Sequence, residues 1–568
     1  MKHASIFFYS LVSIVPCLSV NPECPKTVIT QNTPAGSFPS VASELFPADY
    51  SCEVQFQIPV GQVVKFNIQN NISSNRDSFI IQDSVYTLYQ LQTADKTFYA
   101  PATTAKIQIT TKTSTSSFYF SWTYIDVTNF GRIQKTTGSI ISLNLTANSY
   151  YQISSPINRV AFHVGSIHDE YDSNLNKVYV YDGEDLNANF IGNMEFFSNN
   201  ITVSSGKYLT IVNFYDATLT SYGVANDYSA ISNYEDYSFV ILNTGRDLEL
   251  HRLSGAQRET VVTLYLIDYN ESYIQYLRFN NPNVAAQEVR VKPLTPTQNY
   301  ANLLTYNVND YISTLPQQIA TNIFTVSVFQ SDVFIGLRSR TDNDWSLAYP
   351  GRSGIMYSPS MWNPKTEATA PYFANFTSSF PVKFMFDIQS VLFSNMEEEL
   401  KIVIGSGSDS YVVADLKKSI GAIVKNTSMG TYMTTSFTGT TVGSFFKMSF
   451  SVEGSVPVTT VTTATSSFPV QFMFDIQSVL FSNMEEELKV VIGSDSGSYV
   501  VADLKQSIGA IVKNTSVGTY MTTSFTGTTN ASSFIMKFKI EENVETTTKS
   551  TEVVLNFMTL ALIFCNLV

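Results

Sequence analysis

The sequence predicts an all-β protein built from tandem antiparallel β-sandwiches, with a near-identical internal repeat in its C-terminal part. Residues 378–441 return as residues 466–529 with only six of 64 positions changed, so the repeat is the first guide to the fold. Within each copy apolar residues alternate with other residues, as at Val382, Phe384 and Phe386, and a period of two is typical of half-buried strands. Gly, Ser, Asn and Thr clusters separate these short runs, which favours a sandwich over helices.

The composition is that of a β-rich extracellular protein with several domains. A chain of 568 residues has room for three to five domains. It contains 40 Phe and 32 Tyr but only 14% charged residues, so many strands must face one another. The net charge of -13 is spread along the chain and no Lys/Arg run is present, which argues against nucleic-acid binding.

The N-terminus predicts a secretory signal peptide over residues 1–19. Lys2 precedes an apolar run over residues 6–15, and small residues at Cys17 and Ser19 fit a cleavage site. The run is too short to span a membrane. The mature chain would therefore be extracellular.

Cysteine usage agrees with that compartment. Cys17 lies in the leader and Cys565 in the C-terminal tail, which leaves Cys24 and Cys52 for the mature chain. An even pair in a secreted chain is most simply one disulfide, with two free thiols as the alternative. Closing a loop of this length would contribute about 3.5 kcal/mol.

The C-terminus resembles a signal for attachment of a glycosylphosphatidylinositol (GPI) anchor. A polar spacer, residues 542–552, precedes a mostly apolar tail, residues 553–568. As a helix the tail would measure about 24 Å, less than the roughly 30 Å hydrocarbon core, and no Lys or Arg follows it. Removal of the tail and lipid attachment is the preferred interpretation, and a short retained helix or a plain C-terminal strand is the alternative.

Asparagine-linked glycosylation is the second modification predicted for a secreted chain. Eight N-x-S/T triplets occur, and used sites must lie on the surface. Two of them occupy the same position in the two repeats, so the repeat would present one glycan face twice. The eight asparagines are Asn71, Asn144, Asn200, Asn270, Asn375, Asn426, Asn514 and Asn530.

Residues 20–128 read as a first sandwich. Alternation over residues 52–58, a turn at residues 59–62 and a following apolar strand indicate a hairpin. The Glu-Cys-Pro opening at Cys24, the Tyr-Ser-Cys at Cys52 with its V-x-F-x-I-P-x-G-Q hairpin, and the closing Ser-Trp-Thr-Tyr resemble the nematode CUB-like domain family. That resemblance implies an extracellular β-sandwich, epithelial and often intestinal expression, and a part in innate defence against microbes.

Residues 129–242 resemble CUB domains in general, through KVYVYDG at residues 177–183 and a later strand pair at residues 201–216. The resemblance implies a jelly-roll-like sandwich. Many CUB domains bind calcium through acidic loop residues, and hard oxygen ligands of that kind occur here, although Asn176 replaces one usual Asp. A solvated acidic loop is the alternative. The acidic residues concerned are Asp169, Glu170, Asp172 and Asp216.

The remaining chain is also β-rich. Residues 243–350 form an unassigned β-rich domain, and residues 351–453 form a sandwich that includes repeat copy 1, residues 378–453. A Thr/Val/Pro linker, residues 454–465, precedes copy 2, residues 466–541. Copy 2 lacks a counterpart of residues 350–377, so it either folds alone or borrows a strand. A near-exact duplication can also arise from an incorrect gene model.

The residues favour no catalytic site, metal site or cofactor. The G-x-S-x-G pattern around Ser496 needs a strand-to-helix turn and a later histidine, but no histidine follows His251. His163 and His168 are five apart, which puts them on opposite faces of a continuous strand, and no HExxH motif is present. The acidic runs at residues 397–399 and 485–487 read as solvated loops.

We therefore expect a non-enzymatic, glycosylated, GPI-anchored cell-surface protein that binds an extracellular protein or glycan. Loops and tyrosine-rich strand faces at the sandwich ends would supply the contacts. Repetition of modules would raise avidity. A structural component of cuticle or glycocalyx without a specific ligand is the alternative, and hydrolysis through Ser496 is a third hypothesis.

Overall fold

The structure is a computed structural model, and it confirms that the chain is all-β. It describes residues 22–42, 45–165, 172–198, 200–215, 218–243, 246–250, 258–280, 287–309, 311–330, 332–338, 344–365, 369–418, 424–441, 443–454, 462–480, 487–494, 497–504, 512–526, 533–542 and 550–555. The predicted signal peptide lies outside these residues. Two compact units divide at Ser229 and Ala230. Helices in the described residues are single turns: Tyr228–Ile231 (α1), Pro359–Trp362 (α2) and the 3-10 turns Leu175–Lys177, Pro296–Gln298 and Ile312–Thr314.

The first unit begins with a sandwich of two four-stranded sheets, in the orders β1-β8-β3-β6 and β2-β7-β4-β5. Its strands are Ala35–Phe38 (β1), Ser51–Gln57 (β2), Gln62–Asn71 (β3), Ser78–Gln82 (β4), Leu88–Gln90 (β5), Thr97–Pro101 (β6), Thr104–Thr110 (β7) and Ser117–Asp126 (β8). The predicted alternation is confirmed, because Val54 and Phe56 of β2 pack between the sheets with Phe66 and Phe120.

The predicted disulfide is confirmed as well. Cys24 and Cys52 are bonded, with their Cα atoms 5.5 Å apart, so the segment before β1 is tied to the start of β2. Cys52 is buried in the core of this sandwich. The crosslink restricts the unfolded chain and thereby stabilises the folded one.

The second sandwich pairs a four-stranded sheet, β10-β17-β12-β15, with a five-stranded one, β14-β13-β16-β11-β9. Its strands are Gly131–Thr136 (β9), Ser139–Ser142 (β10), Ser149–Ser154 (β11), Val160–Gly165 (β12), Val178–Asp182 (β13), Asn189–Asn193 (β14), Thr202–Val203 (β15), Tyr208–Asn213 (β16) and Tyr222–Asp227 (β17). All pairs are antiparallel except β9 with β11. Leucine, isoleucine and valine side chains fill the space between the sheets.

The second unit begins with a third sandwich, whose sheets have the orders β18-β20-β25-β22-β23 and β19-β26-β21-β24. Its strands are Asp236–Leu242 (β18), Arg246–Leu250 (β19), Thr260–Leu266 (β20), Ser272–Phe279 (β21), Glu288–Pro293 (β22), Leu304–Asn307 (β23), Gln317–Ile319 (β24), Ile323–Phe329 (β25) and Val333–Arg338 (β26). Strand β18 pairs with β20, so the domain boundary predicted at residue 242 is wrong by one strand.

Each repeat copy forms one six-stranded antiparallel sheet, in the orders β27-β32-β28-β31-β29-β30 and β38-β37-β33-β36-β34-β35. The strands are Ser353–Tyr357 (β27), Tyr372–Leu392 (β28), Leu400–Ser406 (β29), Asp409–Leu416 (β30), Val424–Phe437 (β31), Phe445–Glu453 (β32), Thr462–Leu480 (β33), Glu487–Ser494 (β34), Gly497–Leu504 (β35), Val512–Thr526 (β36), Ser533–Glu542 (β37) and Ser550–Leu555 (β38). Bulges interrupt the long β28 and β33 at matching places, which bends both sheets.

The sixth strand reaches each copy from a different part of the chain. In copy 1, β27 precedes the repeat and sets Met356 opposite Met448 of β32. In copy 2, β38 follows the repeat and sets Leu555 opposite Met536, the residue equivalent to Met448. Copy 2 therefore obtains the missing strand from the sequence that follows it.

Two predicted segment boundaries change as a result. The last four residues predicted as linker, 462–465, belong to β33 and pair with β36. Residues 550–552 of the predicted polar spacer and 553–555 of the predicted tail form β38. The tail from residue 556 onward lies outside the described residues, so the anchor signal stays a prediction.

Candidate binding surface

Of the four acidic residues considered for calcium, the structure describes only Asp172. Asp172 accepts hydrogen bonds from the backbone nitrogens of Asn174 and Thr220 and from the Ser221 hydroxyl, at 3.0 to 3.2 Å. Its two carboxylate oxygens thus hold a loop. Asp169, Glu170 and Asp216 lie outside the described residues. Among the residues that are described, no group of three or more His, Cys, Asp and Glu could hold a metal ion.

The hydrolase pattern lacks the strand-to-helix turn that an elbow requires. Ser494, at the end of β34, pairs directly with Gly497, at the start of β35, so the motif spans a β-hairpin. The equivalent hairpin in copy 1 pairs Ser406 with Asp409. Ser496 itself lies outside the described residues, as do His168 and His251, while His163 is buried in β12.

The acidic run of copy 1 is not simply a solvated loop, because its middle residue is buried. Glu398 accepts hydrogen bonds from the backbone nitrogen of Ser394 at 2.8 Å, the hydroxyl of Ser444 at 2.5 Å and the amide of Asn395 at 3.0 Å. Burial alone would raise the pKa of Glu398, but these hydrogen bonds lower it below its usual value. This carboxylate orders a turn, and Glu485 and Glu486 of copy 2 lie outside the described residues.

One tyrosine-rich strand face, on β13, is buried between the first two sandwiches. We call this cluster the aromatic seam, and Tyr179 and Tyr181 within it are each only 1% exposed. Side chains of β13, β14 and β16 and the following loop pack there against β3, β6 and the end of the first sandwich. The seam consists of Val63, Tyr99, Val127, Tyr150, Tyr179, Tyr181, Leu186, Phe190, Val212 and Phe214.

Hydrogen bonds, in addition to apolar contacts, hold the seam together. The Tyr179 hydroxyl donates to the backbone oxygen of Tyr99 at 2.7 Å, and the Tyr99 backbone nitrogen donates to the Tyr215 hydroxyl at 3.1 Å. Tyr99 lies on β6, an edge strand, so side chains of the second sandwich cover that edge. Burial raises the pKa of Tyr215 to about 12 and raises the pKa of Tyr179 well above its usual value.

A loop beside the seam holds a tyrosine in an exposed position. Between β4 and β5, Asp83 accepts hydrogen bonds from the backbone nitrogens of Val85 at 3.0 Å and Thr87 at 2.9 Å, and from the Tyr89 hydroxyl at 2.9 Å. These bonds hold Tyr86 in the left-handed region, with φ of 66°, which is uncommon for a bulky residue. The Tyr86 side chain is 80% exposed.

The carboxyl group of Asp83 is unusual for a surface loop. Burial raises its pKa, and hydrogen bonds from Thr87, Tyr89 and Val85 oppose that effect only in part. Burial and the nearby Asp83 charge also raise the pKa of Tyr89. The chain thus buries a polar pair in order to fix this loop.

The same pair reaches a second loop, in the second sandwich. The Asn193 side-chain nitrogen donates to the Tyr89 hydroxyl at 3.1 Å, and its side-chain oxygen accepts from the backbone nitrogen of Phe196 at 3.2 Å. Phe196 is 70% exposed and meets the Phe197 ring edge-on, with centroids 5.2 Å apart. The chain Asp83, Tyr89, Asn193 therefore links two aromatic loops in one hydrogen-bond network.

Three large apolar side chains are exposed on these two linked loops and at the start of β5: Tyr86, Leu88 and Phe196. We call them the junction surface. Exposed aromatic groups on an ordered backbone are typical of protein-binding sites, because they bury large areas at small entropic cost. Sequence reasoning missed this surface, although Asp83 three residues before Tyr86 and the Phe196-Phe197 pair after a strand were visible signals.

The predicted glycosylation sites are all exposed where the structure describes them. Seven asparagines fall in this class, whereas Asn530 lies outside the described residues. Exposure satisfies the steric requirement for modification but does not test it, so glycosylation stays a prediction. The exposed asparagines are Asn71, Asn144, Asn200, Asn270, Asn375, Asn426 and Asn514.

Comparison with known proteins identifies one module. Residues 19–128 match the CUB-like domain family, and such domains are typically extracellular, non-enzymatic binding modules. No curated protein matches the chain. In the part that the structure describes, no helix is long and apolar enough to cross a membrane.

Solved structures that align with the chain include two fragments with CUB domains. The CUB1-EGF-CUB2 domain of human MASP-1/3 is 11% identical, with a TM-score of 0.14, and the alignment covers 34% of this chain and 99% of that one. The CUB1-EGF-CUB2 domains of rat MASP-1 are 8% identical, with a TM-score of 0.15, and the alignment covers 55% of this chain and 99% of that one. The full extracellular region of zebrafish Gpr126/Adgrg6 is 8% identical, with a TM-score of 0.16, and the alignment covers 57% of this chain and 53% of that one. TM-scores this low do not establish a shared fold, so the CUB-like assignment of residues 19–128 rests on the family match.

Proposed function

We propose that this protein is a non-enzymatic, glycosylated cell-surface binding protein, held by a GPI anchor, that acts in nematode innate defence. The junction surface of the first unit would contact the ligand, an extracellular protein or glycan. The resemblance of residues 20–128 to the nematode CUB-like family supports the defence role, and the family match over residues 19–128 supports extracellular binding.

The observation that carries this proposal is the exposure of Tyr86 and Phe196 on loops that a buried network holds in place. A protein gains nothing in stability from exposing such rings. Burying the polar pair Asp83 and Tyr89 to position them carries a desolvation cost, which raises the pKa of Asp83. A ligand that covers the rings would regain the apolar contact, and preordered loops would lose little entropy on binding.

Glycosylation and the lipid anchor belong to the same proposal. The exposed triplets and the predicted signal peptide support modification in the secretory pathway. The spacer and apolar tail support the anchor. The predicted attachment site lies before the spacer, so removal of the spacer and tail would also remove β38, and the anchored protein would lack the sixth strand of the copy 2 sheet.

Binding is tested on the full-length tagged protein displayed on cultured cells, with fluorescent bacteria and fungal cells as probes. We expect the double variant Tyr86→Ala with Phe196→Ser to lower adhesion about tenfold, the loss typical of hot-spot residues. Val60→Ala is the matched control, because Val60 is 63% exposed on the first sandwich outside the junction surface. Equal adhesion by wild type and the double variant would overturn the role of this surface.

Compartment and anchor are tested on the same cells. Phosphatidylinositol-specific phospholipase C should release the protein, and a glycosidase should increase its electrophoretic mobility. If phospholipase leaves the surface pool in place and no microbe adheres, a structural role in cuticle or glycocalyx becomes the better account. Loss of the gene with unchanged pathogen survival would contradict the defence role.

A further inference from the structure

One terminal strand of each repeat sheet pairs with a single strand among the described residues, and apolar residues lie along it. We call its other side the open edge. Strand β30 is the terminal strand of copy 1 and β35 that of copy 2. On β30, Tyr411 is 64% exposed and Val412 is 55% exposed, and on β35 Val500 is 47% exposed. Both strands contain the run SYVVADL, whose first five residues carry no charge and no proline. An edge of this kind is prone to pair with another strand.

Each of these edge strands contains one β-bulge, and the asparagine of a glycosylation triplet is hydrogen-bonded to it. Val413 is the extra residue of a bulge in β30, because Ile402 pairs with Ala414 while Val403 pairs with Val412. The Asn426 side-chain nitrogen donates a hydrogen bond to the Val413 carbonyl oxygen at 3.0 Å.

Copy 2 repeats this arrangement. Val501 is the extra residue of the bulge in β35, since Val490 pairs with Ala502 and Val491 with Val500. The Asn514 side-chain nitrogen donates to the Val501 carbonyl oxygen at 3.1 Å. The same contact between a glycosylation triplet and an edge strand therefore occurs twice in one chain.

We propose that N-linked glycans at Asn426 and Asn514 shield the edges of β30 and β35 and keep copies of the chain from pairing edge to edge. The inference rests on the glycosylation proposed above and assigns these two sites a specific role. The occupant of each edge is the first sugars of the glycan, and a second copy of the chain is the competitor that the glycan excludes.

The chemistry of glycosylation is compatible with the observed contact. The amide nitrogen of Asn426 forms a bond to C1 of the first sugar, the lipid diphosphate that carried the sugar leaves, and one of the two amide hydrogens is lost as a proton. The other hydrogen remains available for the bond to Val413. The sugar is then bonded to an atom that lies 3.0 Å from the edge-strand oxygen, so it must lie beside β30.

The test uses the full chain purified from eukaryotic cells. Glycopeptide mass spectrometry first measures occupancy at Asn426 and Asn514. The variant Ser428→Ala with Ser516→Ala removes both triplets but keeps both asparagines and their edge contacts. Sedimentation at increasing protein concentration should show the wild type as a monomer and the variant rising at least twofold in mass as edges pair.

Two further variants make the result specific. Adding Val412→Lys and Val500→Lys to the double variant places charges on the open edges and should restore the monomer. Thr377→Ala removes the triplet at Asn375, which lies on the interior strand β28 opposite Thr434 of β31, and should leave the protein monomeric. Enzymatic removal of glycans from folded wild type should reproduce the association if the double variant does not fold.

The outcomes distinguish failure of edge shielding from failure of glycosylation. Unmodified asparagines at both positions would overturn glycosylation there, and the shielding with it. Occupied asparagines together with a monomeric, folded double variant would overturn shielding alone. Association that the lysine substitutions leave unchanged would also overturn it, because the pairing would then use another surface.

Discussion

The aromatic seam and the junction surface are built from the same residue types but have opposite exposure. Tyr179 in the seam is 1% exposed, whereas Tyr86 on the junction surface is 80% exposed. Both regions lie in the first unit. Val85 connects them, because its backbone nitrogen donates to Asp83 and its side chain packs against the seam one residue before Tyr86. Residue type therefore does not distinguish a core tyrosine from a binding tyrosine in this protein.

The difference lies in the backbone that carries each ring. Seam rings stand on strands, where alternate side chains face a second layer. Tyr86 stands in a loop with a left-handed backbone, and Asp83 rather than packing fixes it. The seam thus stabilises the unit, while the junction surface is positioned at a cost.

Removal of a seam ring should have the largest effect on stability. Phe214 contacts the rings of Tyr99, Tyr179 and Phe130 at centroid distances of 5.3 to 6.0 Å. We expect Phe214→Ala to lower the free energy of unfolding by about 3–5 kcal/mol, because a buried cavity replaces the ring. Chemical denaturation followed by tyrosine fluorescence measures it.

The matched control is an exposed ring. Phe196→Ala should change the free energy of unfolding by less than about 0.5 kcal/mol, since surface substitutions rarely do more. Similar losses in the two variants would break the comparison, because the seam would then be no more structural than the junction surface.

The sequence predicted the strands well and the role of their faces poorly. Alternation in residues 52–58 identified β2, and the cysteine count identified the disulfide, because both signals are local or leave few choices. Tyr179 and Tyr181 alternate in the same way, but period two cannot reveal that a neighbouring sandwich covers the outer face. The burial of this tyrosine face therefore could not be predicted from its own strand.

Long-range partners explain the other differences. Glu398 is in an acidic run that reads as solvated, yet Ser444, 46 residues later, helps to bury it. The sixth strand of copy 2 is equally hidden in the sequence, because β38 and β27 share no obvious motif and only pairing shows that they are equivalent. The junction surface depends on one bond between Tyr89 and Asn193, which are 104 residues apart.

Release of the exposed loop should have an intermediate effect. Asp83→Ala leaves the backbone nitrogens of Val85 and Thr87 and the Tyr89 hydroxyl without their acceptor, which should cost about 1–3 kcal/mol. Adhesion of the probe cells should fall as well, because Tyr86 would no longer be held in position.

Asp83→Asn serves as the control for that prediction. Its side-chain oxygen can still accept from both backbone nitrogens, and it carries no charge, so the desolvation that raises the pKa of Asp83 no longer applies. Stability and adhesion should stay near wild type. A stable, fully adhesive Asp83→Ala protein would show that the loop needs no fixing, and the contrast with the seam would lose its physical basis.

The smallest effect tests the polar part of the seam. Tyr179→Phe keeps the ring but removes the hydroxyl that donates to Tyr99, so at neutral pH it should cost about 1 kcal/mol. Burial raises the pKa of Tyr179 in the folded protein. The hydroxyl therefore contributes fully to the free energy of unfolding below the unfolded-state pKa near 10, and this contribution is lost as the pH rises toward the folded-state pKa. Above pH 10 wild type should lose about 1.4 kcal/mol per pH unit more than the variant, and the two should be equally stable about one unit above 10. Parallel stability curves between neutral and alkaline pH would mean that water reaches the Tyr179 hydroxyl, and that the seam is an open face like the junction surface.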